Sequence, residues 1–403
     1  MKEVNSMTLQ QKMTALMTEV KGEVVERDEL IEAIIIALLA KKNLFILGET
    51  GQAKSYSINR VRARIEGAAQ FERLMSKQTD EEQLFGRLDL PSLIKGEPKL
   101  ITTGKLPEAH IAFLDEAFKA NDGILNALLT ALNERRWTNE GETIDIPTIS
   151  FFAASNEIPN FSNPEERILK PLYDRFDLKL VTEYIEEREA RLTMLERKQS
   201  RQQEQILHTI SLQELYEMQA EVSAVEVPAE INELWDNILC ELRTKGIPVS
   251  DRKYLGFSPI VQAKAWLGGQ AVVQREDLLI LRHILWTTPE QRVTINQVLH
   301  HACADYLKLQ LDVLMKMSLE AVATFEASPD GTLSENLRRL GKLRAELNRI
   351  RLMANEFRQT GTSKQQQIDT FNETLEEFNR KASAAAKREY TSLQGVQDIL
   401  QQQ

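Results

Sequence analysis

The stretch Leu44-Phe45-Ile46-Leu47-Gly48-Glu49-Thr50-Gly51-Gln52-Ala53-Lys54-Ser55 constrains this chain more than any other. Four apolar residues stop at a glycine-bearing turn and the chain resumes as Ser57-Ile58-Asn59-Arg60-Val61, which predicts strand, loop, helix. A buried strand feeding such a loop turns successive backbone N–H groups inward. The helix behind it adds the positive end of its dipole, so the loop suits polyphosphate. Lys54 then reaches the β- and γ-phosphates and the Ser55 hydroxyl takes Mg²⁺. Ala53 stands where the strict pattern has its second glycine, and a glycine turn before a helix is also ordinary loop chemistry. The rest of the sequence has to separate the two readings.

Two further apolar runs end in polar residues. Ile111-Ala112-Phe113-Leu114 is followed by Asp115-Glu116, and the carboxyl ends of buried parallel strands are where ligands bind in open α/β sheets. Asp115 there would hold Mg²⁺ through water and Glu116 would orient and deprotonate an attacking water; a helix N-cap pair is the plainer alternative. Thr148 to Ser155 ends at Asn156, which can hydrogen-bond a γ-phosphate or a water, or simply form the turn into Ile158-Pro159. In Leu172-Tyr173-Asp174-Arg175-Phe176-Asp177-Leu178 an arginine precedes another strand-like run. It could pair with Asp174 or Asp177, or neutralise charge on a transferring phosphoryl group.

Short apolar runs alternating with helices from 44 to about 182 predict a parallel sheet between helices, preceded by amphipathic helices over residues 1–43. At 403 residues about two to three domains are expected. A composition of 42% hydrophobic and 27% charged residues is globular, and no apolar run approaches a membrane span. The N-terminus lacks a signal-peptide pattern, which points to the cytoplasm. Cys240 and Cys303 lie far apart in the sequence and suggest no disulfide framework, so both read as core residues. The formal charge of -10 counts against a general nucleic-acid binder.

Taken together, Gly48-Glu49-Thr50-Gly51-Gln52-Ala53-Lys54-Ser55, Phe113-Leu114-Asp115-Glu116, Asn156 and Asp174-Arg175-Phe176 resemble the Walker A, Walker B, sensor 1 and arginine-finger segments of AAA+ ATPases of the MoxR type. Ala at position 53 is common in that family, whereas Glu49 and Thr50 lie where its loops often carry Pro. Residues 84–106 and 136–146 resemble the family's two inserted hairpins, and both have hairpin grammar of their own around a Gly-containing turn, Gly141 in the second. Val249-Ser250-Asp251-Arg252-Lys253-Tyr254 reads by itself as a Ser-capped helix start. The resemblance makes Arg252 the sensor 2 arginine of an all-helical lid, and the continuation to Trp286 looks closest to the RavA-like branch.

The expectation is therefore an α/β AAA+ core over 1–185, connector helices and an all-α lid over 186–290, and a helical hairpin over 291–403, where Ser328-Pro329-Asp330-Gly331 marks a turn and Phe357 closes an apolar stripe. The last segment would recruit partners. The resemblance implies an ATPase acting with Mg²⁺ and ATP at the interfaces of a homo-oligomeric, hexameric ring that remodels a protein client with a von Willebrand factor A domain partner. A nucleic-acid-translocating motor is the alternative, and a small-molecule P-loop kinase would not need Asn156, Arg175 and Arg252 in this order.

Overall fold

The structure, a computed structural model, describes residues 7–96, 99–139, 142–200, 206–303, 306–327, 332–356 and 362–395. It divides into two compact units, Met1–Cys303 and Ala304–Gln403.

Five strands form the centre of the first unit: β1 (Leu44–Leu47), β2 (Gln70–Leu74), β3 (Ile111–Asp115), β4 (Ser150–Ser155) and β5 (Leu178–Val181). They pair in the order β5-β1-β4-β3-β2, every pairing parallel. Such a sheet is covered on both faces, which is why the strands of its interior read as unbroken apolar runs. Leu44, Ile46, Phe113 and Phe152 face one core; Phe45, Leu114, Phe151 and Ala153 face the other.

Two N-terminal helices, α1 (Leu9–Glu23) and α2 (Asp28–Ala40), lie on the first face. The second is buried over ten of its residues, as a helix apolar on all sides must be. Helix α3 (Lys54–Arg62) follows the glycine turn, and α4 (Asp122–Glu134) and α5 (Lys170–Tyr173) cover the other face. Two antiparallel hairpins project from this core. Arg87–Leu88 pairs with Leu100–Ile101 around a short helix, Leu90–Ile94, and Arg136–Asn139 pairs with Glu142–Asp145. The turn expected at Gly141 lies outside the described residues. Trp137 of the second hairpin stacks on Phe85 at 4.9 Å between ring centroids.

The helical lid comprises α6 (Leu212–Ser223), α7 (Ala229–Thr244), α8 (Asp251–Leu255), α9 (Ser258–Leu267), a 3-10 segment Arg275–His283 and α10 (Gln291–Cys303). Ser250 caps α8, accepting from the Lys253 amide. The sequence reading assigns 291 onward to the C-terminal domain; instead α10 buries Ile295, Val298, Leu299 and Cys303 against α7 and the 3-10 segment, and the first unit ends after Cys303. Cys240 is likewise corrected: it is exposed on α7, because its neighbours Trp235, Ile238, Leu239 and Leu242 take the buried face.

The second unit holds α11 (Tyr306–Glu326), α12 (Leu333–Glu356) and α13 (Thr362–Ala385), each packed on the other two. Leu340, Leu343, Leu347, Ile350, Phe371 and Leu375 form its core. Arg344, which stands next to Leu343 of this apolar stripe, donates to Asn379 Oδ1 at 3.0 Å and Ser383 Oγ at 3.0 Å, so a polar layer accommodates it. The expected turn at Ser328–Gly331 and the stripe residue Phe357 lie outside the described residues.

Candidate active site

Leu47, Asp115, Ser155 and Val181 terminate four neighbouring strands at the same edge of the sheet. From Leu47 the chain enters Gly48, whose amide donates to Ser155 O at 3.1 Å. A Cβ at Gly48 would overlap Thr182 Oγ1 and Gln52 Oε1, two atoms already joined by a 2.7 Å hydrogen bond, so the turn requires glycine. Gly51 has φ +83°, and Ala53, at φ 59°, caps α3 without a side-chain hydrogen bond. Glu49 and Thr50 lie in the exposed part of the loop, while Gln52 is buried. Ser55 is the second residue of α3.

Lys54 Nζ donates to Gly48 O and, at 3.2 Å, to Glu49 O. Burial draws its ammonium below the ordinary lysine range, against the attraction of Asp115, Glu116 and Glu49. Asp115 is pushed above the ordinary carboxylate range, by burial first and by the neighbouring Glu116 second. Glu116 sits in the left-handed region at φ 53°, with Oε2 buried and 3.2 Å from the Lys119 ammonium. Asn156 follows β4, and its buried Oδ1 finds no hydrogen-bond partner among the described residues. A cavity of about 570 Å³ runs past Gly48, Gln52, Asn156, Thr182 and Pro289.

Two supports of this edge carry no sequence signal of their own. Arg27, buried, donates from Nε to Gln52 O at 3.2 Å and from Nη2 to Glu183 O at 2.7 Å, tying the glycine turn to the chain after β5. Thr182 fastens the same turn through Gln52 and through its amide to Leu47 O at 2.8 Å.

Arg175 and Arg252 do not join this edge. They line a cavity of about 480 Å³ with Lys41, Lys42, Asn43 and Arg135, at the opposite ends of the strands. Asn43 precedes β1, and its side chain donates to Arg175 O at 3.0 Å. From Asn43 to Gly48 is five residues, roughly 16 Å of extended chain. Burial and the charge of Arg252 lower the pKa of Arg175, whose buried Nε has no partner among the described residues. Arg135 is committed instead to the fold: it donates to Asn43 Oδ1 at 2.8 Å and to Leu132 O at 2.6 Å, and lies over the Phe151 ring.

The residues of the first edge fit a magnesium nucleotide. An unpaired buried amide oxygen, a carboxylate under like-charge pressure and a lysine turned onto loop carbonyls are each better matched by a water, a cation and a phosphate than by one another.

A family model described as the MoxR domain in the MoxR-vWA-beta-propeller ternary systems matches residues 11–220, and one described as an AAA lid domain matches residues 226–299. An uncharacterized protein of Methanocaldococcus jannaschii is 31% identical over 370 residues, covering 91% of this chain and 94% of that protein. A second from the same organism is 36% identical over 275 residues, 68% of this chain and 71% of that one. In fold, the chain is similar to a crystal structure from Cytophaga hutchinsonii described as a candidate ATPase, with a TM-score of 0.59 at 17% identity, covering 73% of this chain and 94% of that one.

Proposed function

Because the chain belongs to the MoxR family of AAA+ ATPases, we propose that it hydrolyses ATP at the subunit interfaces of a homo-oligomeric ring and uses the cycle to remodel a protein client. The observation that carries this is the separation of the two edges. Arg175 and Arg252 share a cavity at the end of the sheet away from their own Lys54, so each site is completed by the neighbour's arginines.

In this reading the N–H groups of Gly48 to Ser55 and Lys54 Nζ hold the phosphates, Lys54 exchanging two carbonyls for phosphate oxygens. Ser55 and Asp115 would hold Mg²⁺, which would supply positive charge beside the phosphates. Asn156 Oδ1 accepts from the attacking water and Glu116 takes its proton, while the neighbour's Arg175 and Arg252 stabilise the transferring phosphoryl group. Charge complements this geometry. Beside the glycine turn Glu26, Asp28, Glu29, Glu183 and Glu186 outnumber Arg27 and Arg292, and in the opposite cavity Lys41, Lys42, Arg175 and Arg252 outnumber Asp177, as a head-to-tail contact needs.

Six subunits, a von Willebrand factor A domain partner and a cytoplasmic address complete the reading on family resemblance. The description of the matched family adds a β-propeller protein as a partner and favours that branch over the RavA-like one. Among the described residues no helix is long and apolar enough to cross a membrane. The C-terminal unit supplies none of the residues named above, and we assign it to recruitment.

Mixing tests the shared site. Arg175→Ala and Lys54→Ala chains, each inactive alone, should regain partial ATPase activity when combined, because some interfaces then pair an intact glycine turn with an intact arginine. No recovery in demonstrably mixed assemblies, or full activity of Arg175→Ala alone, overturns the reading.

A further inference from the structure

Strand β5 carries a lysine where the sheet needs an apolar side chain. Lys179 is opposite Phe45 in register and is fully buried in the core formed by Phe45, Tyr173 and Phe176. Its Nζ lies 4.4 Å from the centroid of the Tyr173 ring and has no conventional hydrogen-bond acceptor among the described residues. A buried, unpaired ammonium is among the costliest groups a core can hold. Methionine would fill the same space without that cost, so the amine calls for a reason beyond packing.

The reason offered by the geometry comes from the lid. Lys253 of α8 reaches the same place and donates to Trp286 O at 3.3 Å; Tyr173 of α5 donates to the adjacent Thr287 O at 2.7 Å. Two lid segments therefore meet α5 and β5 around the paired amines. Two members of this meeting point stand beside an arginine of the basic cavity in sequence: Lys253 follows Arg252, and Tyr173 lies two residues before Arg175.

We propose that Lys179 and Lys253 are positioning residues for hydrolysis: a buried lysine pair that latches the lid to the core and holds Arg252 and Arg175 at one spacing, so that both engage a single phosphoryl group on the neighbouring subunit. The proposal rests on the shared-site reading. Burial and the charge of Lys253 hold the Lys179 amine well below the ordinary lysine range, and burial draws Lys253 down as well. One proton shared by the two amines lets Lys253 donate to Lys179 and to Trp286 O together, with Lys179 N–H groups facing the Tyr173 ring. Asp174 and Asp177 from the core are the carboxylates that act on both amines, favouring retention of that proton.

The test uses the full chain and steady-state ATPase kinetics. Lys253→Met should lower kcat at least tenfold while leaving KM for ATP within twofold and the melting temperature of the first unit within a few degrees. Lys253→Arg, which restores a donor for Trp286 O, should recover most of the loss. Lys179→Met is the second variant, expected to lose kcat similarly with an equal or higher melting temperature, since it removes a desolvated amine. Wild-type kcat in Lys253→Met, or a fall in kcat matched by a fall in melting temperature without rescue by arginine, overturns the latch. Arg175→Ala run in parallel keeps the two readings apart: if it turns over normally, the shared site has failed; if it is inactive while Lys253→Met is not, only the latch has failed.

Discussion

The two ends of one parallel sheet carry opposite chemistry. At the carboxyl ends of the strands, Asp115, Glu116 and Glu49 crowd around a single lysine. At the amino ends, Arg175 and Arg252 share a cavity with Lys41 and Lys42. On the shared-site proposal, each end supplies what the other does not. One offers Lys54 and a glycine turn, and the other offers a cluster of arginines and lysines. Under the proposed shared site, the lesson is that an active site can be divided by topology: strands of four to six residues keep the halves apart within a chain and present them to different neighbours.

The largest expected effects break or sustain this division directly. Glu116→Gln should reduce turnover by about 10³-fold or more while nucleotide binding persists, since it removes the base and leaves the phosphate cradle. Arg252→Ala should cost less, on the order of 10–100-fold in kcat, because Arg175 still reaches the phosphoryl group. It too should leave binding of ATP to isolated subunits unchanged. Equilibrium binding of a fluorescent nucleotide beside ATPase rates separates the cases. A large loss of affinity in Arg252→Ala would place that arginine at its own chain's glycine turn and end the comparison.

How much of this was legible beforehand follows from what kind of residue carries each part. The strands show in the sequence because burial on two faces leaves runs such as Ile111–Leu114, and the glycine turn shows because few residue types satisfy a close approach at 48 and a positive φ at 51. Arg252 was different: capping explains Ser250 fully, and only the family resemblance gives the arginine after it a role. Lys179 was invisible for a physical reason. In Leu178-Lys179-Leu180 the alternation suits an edge strand with one solvated face, yet α5 and the lid cover that face. Arg27 and Thr182 act through backbone carbonyls and one amide side chain, contacts that no spacing announces. The boundary expected at 291 falls inside the first unit because α10 packs on α7 and the 3-10 segment.

A smaller effect sharpens the comparison from the stability side. Gly48→Ala forces apart Thr182 and Gln52, both buried, at the tightest point of the phosphate edge. The expected cost is about 1–3 kcal/mol, the usual range for overpacking, read as a lower melting temperature of the first unit together with weakened nucleotide binding. The arginine edge lies at the opposite ends of the strands, so the proposed assembly through Lys41, Lys42 and Arg175 should survive at temperatures where the variant is folded.

The smallest effect concerns Asp115, and its sign distinguishes a site residue from a structural one. Glu19 serves as the structural reference. Burial raises its pKa, but hydrogen bonds from Arg64, the Leu207 amide and His208 outweigh this and bring it from 4.5 to about 2. Its contribution to stability is therefore present above its unfolded value and lost as the pH falls toward 2. Asp115 runs the other way. Its folded pKa lies above the unfolded 3.8, so the native state holds the proton more tightly and this group's contribution falls as the pH rises through that window. At neutral pH the penalty is complete, and Asp115→Asn should raise the melting temperature of the nucleotide-free first unit by about 1–3 °C, a gain that disappears below pH of about 4. With Mg²⁺ and ATP added the order should reverse, because the wild-type carboxylate then faces a cation that the amide binds poorly. A variant that is less stable than wild type at pH 7 without nucleotide would mean that Asp115 is held by the fold as Glu19 is, and would remove the electrostatic basis for calling this edge the metal side of the site.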